Sequence, residues 1–333
     1  MSASVSVIVV NWNGRHHLQT CLTALLGQTH PNFEIILVDN GSTDGSKAFV
    51  RENFPSVRLI ELPENVGFAQ GNNIGIREST ADYIALLNND TKAEPHWLAA
   101  LVETAESNPN VGSFAAKLLF WDRPETINSA GICLDRAGIA WDRLGGQPTD
   151  QPQPTPVPIF GASGGAALYR RTMLNEIGLF DDDFFAYLED VDLAWRARLA
   201  GWDCLYVDTA VVLHHHSATA IEGSPFKNRL LGRNKIWTLL KNYPGPLLLL
   251  YLPAILLYDL GSVLMALLTR RDGSLLNGRL QALRHLPAIW HKRQHIQRQR
   301  KISLKEMRRL MEPVALPTNV WQRYQHLRPT NRR

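Results

Sequence analysis

The sequence predicts an α/β fold: a mostly parallel sheet with helices on both faces and a ligand site at its strand ends. Three observations lead there. Short apolar runs alternate with helix-period segments through the first hundred residues, as strands joined by crossover helices do. Those runs are apolar at consecutive rather than alternate positions, which suits strands covered on both faces. Three of them stop on polar clusters: Asn11-Trp12-Asn13-Gly14, Asp39-Asn40-Gly41-Ser42 and Asn88-Asn89-Asp90. Open α/β sheets bind ligands beyond the carboxyl ends of their strands.

Taken in order, SVSVIVV reads as a first strand rather than a signal peptide, without a basic flank or a small-residue cleavage site. Residues 18–26 have helical spacing, 33–38 form the second strand and 46–53 a short helix that Asp44 is placed to cap. Residues 57–60 are the third strand, 67–79 a helix, 83–87 the fourth strand, and 95–107 a helix opened by Pro95. A second region starts near Val111. Residues 147–158 include five prolines and read as an exposed, irregular loop. The glycine-rich turn 161–165 leads into a strand at 166–169. The acidic, aromatic stretch FDDDFFAYLED runs into a helix that stops at Gly201, and a strand over 204–213 ends on His214, His215 and His216. The expected organisation is residues 1–110 as one half of the main domain, 111–244 as the other, and 245–333 as a helical C-terminal region.

Charge divides the chain. A total of +4 conceals 21 Lys and Arg against 4 Asp and Glu in residues 227–333, a net of +17, which leaves −13 for the rest. A basic tail on an acidic body suits a polyanionic partner. Within that tail the run 247–268 has one charge, Asp259, and breakers at Pro253 and Gly261. Lys235 and Lys241 precede it and Arg270 and Arg271 follow, so no basic asymmetry orients a crossing. The reading is an interfacial or re-entrant pair of helices, with the basic stretch 279–310 lying along anionic headgroups. An anionic membrane surface, at the cytoplasmic face of the cell membrane, is the expected partner. Nucleic acid is not, since no recognisable nucleic-acid module accompanies the basic residues. Cys21, Cys133 and Cys204 are too scattered for a disulfide framework or a zinc site and fit a reducing compartment.

The candidate residues each have two readings. Asp39 opens DNGSTDGS, either as a turn former or as a carboxylate set against a base or ribose. Trp12 is a stacking surface or a structural tryptophan. Asn88 and Asp90 share a face if the segment is extended. They make a turn and cap before Pro95, or they offer the hard oxygens that Mg²⁺ or Mn²⁺ takes beside phosphates. Glu189, Asp190 and Asp192 complement a helix dipole, or one of them is a general base. One of the three histidines could complete a metal site. The glycines of 161–165 make a tight turn or let a substrate approach the backbone.

The ordered segments VIVVNWNG, DNGSTDGS, ENVGFAQGNNIGI, LLNNDT, GASGGAALYRR, FDDDFFAYLEDVDLAWRARLAGW, HHHSAT and RNKIWTLLKNYP resemble the motifs of family-2 glycosyltransferases with the GT-A fold, in their rhamnosyltransferase-like branch. The likeness runs continuously over residues 5–244; beyond it only the apolar-then-basic character matches. It implies an inverting hexosyl transfer in cell-surface glycan synthesis, from a nucleotide-sugar donor to a lipid-linked or polysaccharide acceptor, with Mg²⁺ or Mn²⁺ as cofactor. The first-choice donor is dTDP-rhamnose and the alternative another donor such as a UDP-sugar. A catalytically inactive carbohydrate-binding or nucleic-acid-binding relative is the remaining alternative.

The resemblance also implies roles. Asp39 would bind base or ribose, with Asn11, Asn13 and Asn65 nearby. Asn88 and Asp90 would meet the donor diphosphate, Asp90 through the metal. His214 would be the metal-binding histidine, since Ser217 and Thr219 follow at familiar offsets, with His216 as the fallback. Asp190 would be the catalytic base with Glu189 beside it, and Gly164 and Gly165 would shape the acceptor side. Asn88 stands where the family usually has its first aspartate, and Asn89 where proline is frequent; both bear on the strength of metal binding.

Overall fold

The computed structural model describes residues 3–150, 155–215 and 223–319. β1 (Val5–Asn11), α1 (Arg15–Leu26), β2 (Phe33–Asp39), α2 (Ser46–Asn53), β3 (Arg58–Glu61), α3 (Phe68–Arg77) and β4 (Tyr83–Leu87) alternate as expected. β3, β2, β1 and β4 lie side by side and parallel. β5 (Thr91–Ala93) and α4 (Trp97–Ser107) follow. The second half contains β6 (Val111–Phe120), β7 (Arg123–Ser129), β8 (Ile132–Leu134), β9 (Ala140–Asp142), β10 (Val157–Pro158), β11 (Ala166–Arg170), α5 (Arg171–Ile177), α6 (Glu189–Leu199) and β12 (Asp203–His214). β11 runs antiparallel between β4 and β6, and β12 is parallel to β6. The path across the sheet is β10-β12-β6-β11-β4-β1-β2-β3.

Side-chain alternation divides the apolar residues of β1, β2 and β4 between two cores. Val7, Val9, Leu37 and Ala85 face α1 and α4, where Leu18, Leu22, Leu25, Trp97 and Leu101 are buried. Ile8, Ile36, Ile84 and Leu86 face the other way, onto Ile76 of α3, Met173 and Leu174 of α5 and Leu193 of α6. Burying each large aliphatic side chain contributes about 1.5–3 kcal/mol.

Strand register then gathers the polar ends. Asn11 sits opposite Asp39, Ala166 opposite Leu87, and His214 opposite Thr91. The ends of β1, β2 and β4, the turn before β11 and the end of β12 therefore meet at one edge.

α7 (Pro225–Asn242), α8 (Gly245–Arg270), α9 (Ser274–Arg284), α10 (Leu286–Arg298) and α11 (Leu304–Leu310) complete the described chain. α8 corrects the expected pair of helices: it is a single helix of 26 residues running through Pro253 and Gly261. One proline removes one backbone hydrogen bond, and the leucine-rich turns on either side, good helix formers, carry the helix past it. It is long and apolar enough to cross a membrane, and 22% of its most apolar window is buried.

The basic stretch 279–310 also departs from expectation, because several of its cations turn inward. Arg279 makes two 2.6 Å hydrogen bonds to Asp259, the charge within α8. Lys292 reaches Asp181 and Asp183 at 2.6 Å each, and Arg293 donates to the carbonyls of Leu240 and Tyr243. Buried charge is stable only where it is paired or hydrogen-bonded. Past α10 the chain returns to the main domain: Met307 and Met311 are buried, and the Glu312 N–H donates to Leu134 O at 2.8 Å.

Candidate active site

A cleft of about 910 Å³ opens at the gathered strand ends, and Asn65, Asn88, Asp90, Gly164, Gly165, Glu189, Asp190 and His214 all line it. Trp12 stands at it too, 42% exposed. Asp39, Asn11 and Asn13 are outside the lining. Asp39 is fully buried and accepts hydrogen bonds from Asn11 Nδ2 at 3.1 Å and from the Ser42 N–H at 2.9 Å. Asn11 Oδ1 in turn accepts from Asn89 Nδ2 at 2.7 Å. A chain of side chains thus ties the ends of β2, β1 and β4 together behind the cleft. Asn13, at φ 51°, accepts the Thr43 N–H at 2.8 Å. Asn65 Oδ1 accepts from Asn40 Nδ2 and the Gly67 N–H, both at 2.9 Å.

On one wall, Asp90 and His214 face each other, with His214 Nε2 3.4 Å from Asp90 Oδ1. That carboxylate oxygen is buried and accepts no hydrogen bond from the described residues. His214 Nδ1 lies 2.7 Å from Asn128 Oδ1. An amide oxygen only accepts, so in the neutral imidazole Nδ1 carries the hydrogen and Nε2 presents a lone pair. Nε2 and the Asp90 carboxylate oxygen thus stand 3.4 Å apart, close enough for one cation to be shared between them. Asn128 carries no motif and escapes sequence reasoning. His215 instead stacks on Trp121 at 4.1 Å. His216, Ser217 and Thr219 lie outside the described residues.

Also in the lining, Glu189 and Asp190 open α6. Asp190 Oδ2 accepts the Gly164 N–H at 3.0 Å and Oδ1 the Val191 N–H at 2.8 Å. The next glycine, Gly165, accepts the Asn88 N–H at 2.9 Å, so two adjacent glycines connect Asp190 with Asn88. Glu189 is buried, with Oε2 unpartnered among the described residues. Burial lifts its pKa well above the usual carboxylate range, and the neighbouring Asp190 charge adds to this. Burial also raises Asp190, against the two backbone hydrogen bonds. Both carboxyls are therefore harder to ionise than solvated ones, Glu189 the more strongly. Asp192 points away from the cleft and pairs with Lys241 at 2.8 Å and Arg196 at 2.9 Å.

A third carboxylate was not legible beforehand. Asp142, at the end of β9, lines the cleft. Burial pushes its pKa up to about 6, with Asp190 adding to the rise and a Ser129 hydrogen bond opposing it.

Comparison with known proteins gives the family and the fold. Residues 6–178 match the family model described as Glycosyl transferase family 2. The N-acetylglucosaminyl-diphospho-decaprenol L-rhamnosyltransferase of Mycobacterium tuberculosis is 28% identical over 236 residues, 65% of this chain and 77% of that one. The O-antigen biosynthesis protein RfbC of Myxococcus xanthus is 30% identical over 230 residues, 65% of this chain and 17% of that one. GalNAc-T7, solved with UDP, GalNAc and Mn²⁺, has a TM-score of 0.57 at 18% identity, over 72% of this chain and half of its own. That likeness is one of fold, and the fold is GT-A. With the family match covering more than half of its 333 residues, the chain belongs to glycosyl transferase family 2.

Proposed function

We propose that this glycosyltransferase moves rhamnose from dTDP-rhamnose to a lipid-linked acceptor of cell-surface glycan synthesis, with inversion and with Mg²⁺ or Mn²⁺ bound. The observation that carries the reading is the cleft itself, lined together by Asp90, His214, Glu189 and Asp190. The rhamnosyltransferase of Mycobacterium tuberculosis, whose name specifies a diphospho-decaprenol acceptor, supports the choice of sugar and acceptor. A UDP-sugar donor is the second reading, and GalNAc-T7, solved with UDP, keeps it open.

The unpartnered Asp90 oxygen and the His214 lone pair fit a hard divalent cation. Among the described residues no group of three His, Cys, Asp or Glu side chains forms a metal cage, so diphosphate oxygens and water would complete the shell, as is usual for Mg²⁺. Bound there, the ion would supply charge neutralisation for the departing diphosphate. Trp12 and Asn65 take the nucleotide side, braced by Asp39 and Asn11. Asp190 accepts the proton of the acceptor hydroxyl. The freed oxygen bonds to the anomeric carbon from the face opposite the diphosphate, and the carbon–oxygen bond to phosphate breaks with its electron pair. Its raised pKa makes Asp190 a better base near neutral pH than an ordinary aspartate. Gly164 and Gly165 lie where the acceptor must pass.

The acceptor's lipid suits the C-terminal helices. Leu249, Leu257, Leu260 and Leu268 of α8 are 65–73% exposed, and Leu280, Leu283 and Trp290 add apolar surface on α9 and α10. Such a surface beside basic residues seats at the cytoplasmic face of an anionic bilayer.

The test is a thermal-shift screen of nucleotide sugars with and without Mn²⁺, followed by transfer to a prenyl-diphosphate-linked N-acetylglucosamine. Saturating dTDP-rhamnose at about 100 times its Kd should stabilise the protein by about 2.7 kcal/mol, only with metal. A larger shift from a UDP-sugar would replace the donor, and no shift from any nucleotide sugar would end the reading.

A further inference from the structure

The segment RNKIWTLLKNYP, residues 233–244, lies beyond the family match at 6–178, and nothing in the chemistry above uses it. It forms the second half of α7 and runs beside the segment that delivers Glu189 and Asp190. That segment is unusual in its backbone. Phe185, Tyr187 and Leu188 all have left-handed φ, at 64°, 70° and 65°. Side chains with a Cβ avoid this region, and they persist there only where the surroundings force them to, commonly at functional sites.

Here the force has an address. Asn234 Nδ2 donates to three carbonyls of the strained turn: Phe184 at 3.0 Å, Ala186 at 2.8 Å and Tyr187 at 2.8 Å. The amide is itself held the right way round, because Arg233 Nε donates to its Oδ1 at 2.9 Å. Arg233 also donates to Asp183 O at 2.9 Å and Phe184 O at 2.8 Å. From the other side Gly67, at φ 92°, lets the turn come so close that a Cβ there would sit 2.6 Å from the Phe185 carbonyl oxygen. The Ala69 N–H donates to that oxygen at 3.1 Å. Leu188 is both the last strained residue and the cap of α6, so the turn sets where Asp190 enters the cleft.

We propose that Asn234 is a positioning residue for the transfer reaction: it locks the 185–188 turn and thereby fixes the Asp190 carboxylate against the acceptor. This rests on the reading of Asp190 as the base. The full chain carrying Asn234→Ala is to be assayed with dTDP-rhamnose, Mn²⁺ and the prenyl-diphosphate acceptor. Turnover should fall about 100-fold, the cost of a displacement near 1 Å, with the donor KM within about twofold. Deuterium uptake should quicken in the peptide covering 184–190 and stay at wild-type rates in the strands. Unchanged turnover, unchanged uptake at 184–190, or a general loss of protection with KM rising as turnover falls would overturn the proposal.

If Asn234→Ala does not fold, Arg233→Lys keeps the charge but removes the Nε donor, and it should show the same local uptake with a smaller loss of turnover. Wild-type behaviour on both counts would overturn the proposal equally. Asp190→Asn is run alongside: an active Asp190→Asn removes the base assignment, whereas the uptake at 184–190 reports on Asn234 whichever residue is the base.

Discussion

Asn128 Oδ1 accepts from His214 Nδ1 at 2.7 Å, and this one hydrogen bond decides which ring nitrogen faces Asp90. Partners of this kind typically account for 10–100-fold in metal affinity. Asn128→Ala should therefore weaken Mn²⁺-dependent donor binding by about that factor, His214→Ala should weaken it further, and Asp90→Ala should abolish it. Calorimetric titration of donor with and without EDTA measures all three. Equal wild-type affinity in EDTA would remove the metal from donor binding.

Asp190→Asn preserves shape but removes the proton acceptor. Turnover should drop by roughly 10²–10⁴ with donor affinity nearly unchanged. Because the reaction needs ionised Asp190 and burial raises its pKa, activity should fall with acid along a limb lying above the usual aspartate value of about 3.9. Near-normal transfer by Asp190→Asn would dismiss it as the base.

Two carboxylates should bend the stability profile in opposite directions. Glu189 holds its proton more tightly folded than unfolded. Its contribution is complete below about pH 4.3 and is lost as pH rises toward its folded pKa. Glu189→Gln should therefore lose less stability than wild type on going from acid to alkaline pH. For Asp181 the burial that would raise its pKa is outweighed by Lys241 and Lys292, which hold it well below the usual range. Its contribution is present above about pH 3.9 and lost as pH falls below that, so Asp181→Asn should flatten the acid side. Parallel pH-dependence in the variants and wild type would contradict both assignments.

Arg279→Met leaves Asp259 in α8 with Lys235, at 3.5 Å, as its remaining cation among the described residues. Breaking a largely buried pair in this way should destabilise the protein by about 3 kcal/mol, and adding Asp259→Leu should recover most of it. Urea unfolding of the single and double variants gives the answer. A loss under about 1 kcal/mol would mean that the pair is solvated.

The exposed leucines of α8 predict cosedimentation with anionic vesicles that survives about 1 M salt, since apolar contact is not screened. Leu257→Glu with Leu268→Glu should leave the protein in the supernatant. Full release of wild type by salt would make the attachment electrostatic alone.

The alternation of strands and helices in the first hundred residues was legible because each buried run is bounded by its own turn chemistry, and Asp90 and Asp190 were legible because they stand where a strand gives way and where a helix opens. Asp39 shows the limit. Its place at the end of β2 was readable, but whether the carboxylate turns into the cleft or back toward Asn11 depends on a neighbouring strand. Asn128 and Asp142 come from β7 and β9, short strands without a motif, which reach the cleft only through long-range packing. The cations of α9 and α10 read as a membrane-facing charge because their partners lie on other elements, Asp259 of α8 for Arg279 and Asp181, 111 residues away, for Lys292.

The position of Asn234 also sets a timetable. A ribosome adds roughly 5–20 residues per second, so the 44 residues from Asp190 to Asn234 take roughly 2–9 s to make. During that interval the donor-side strands are complete, while the turn before Asp190 still lacks the amide that holds its carbonyls. The nascent chain can acquire a nucleotide pocket before it acquires a placed base, and its competence for transfer arrives late in its own synthesis.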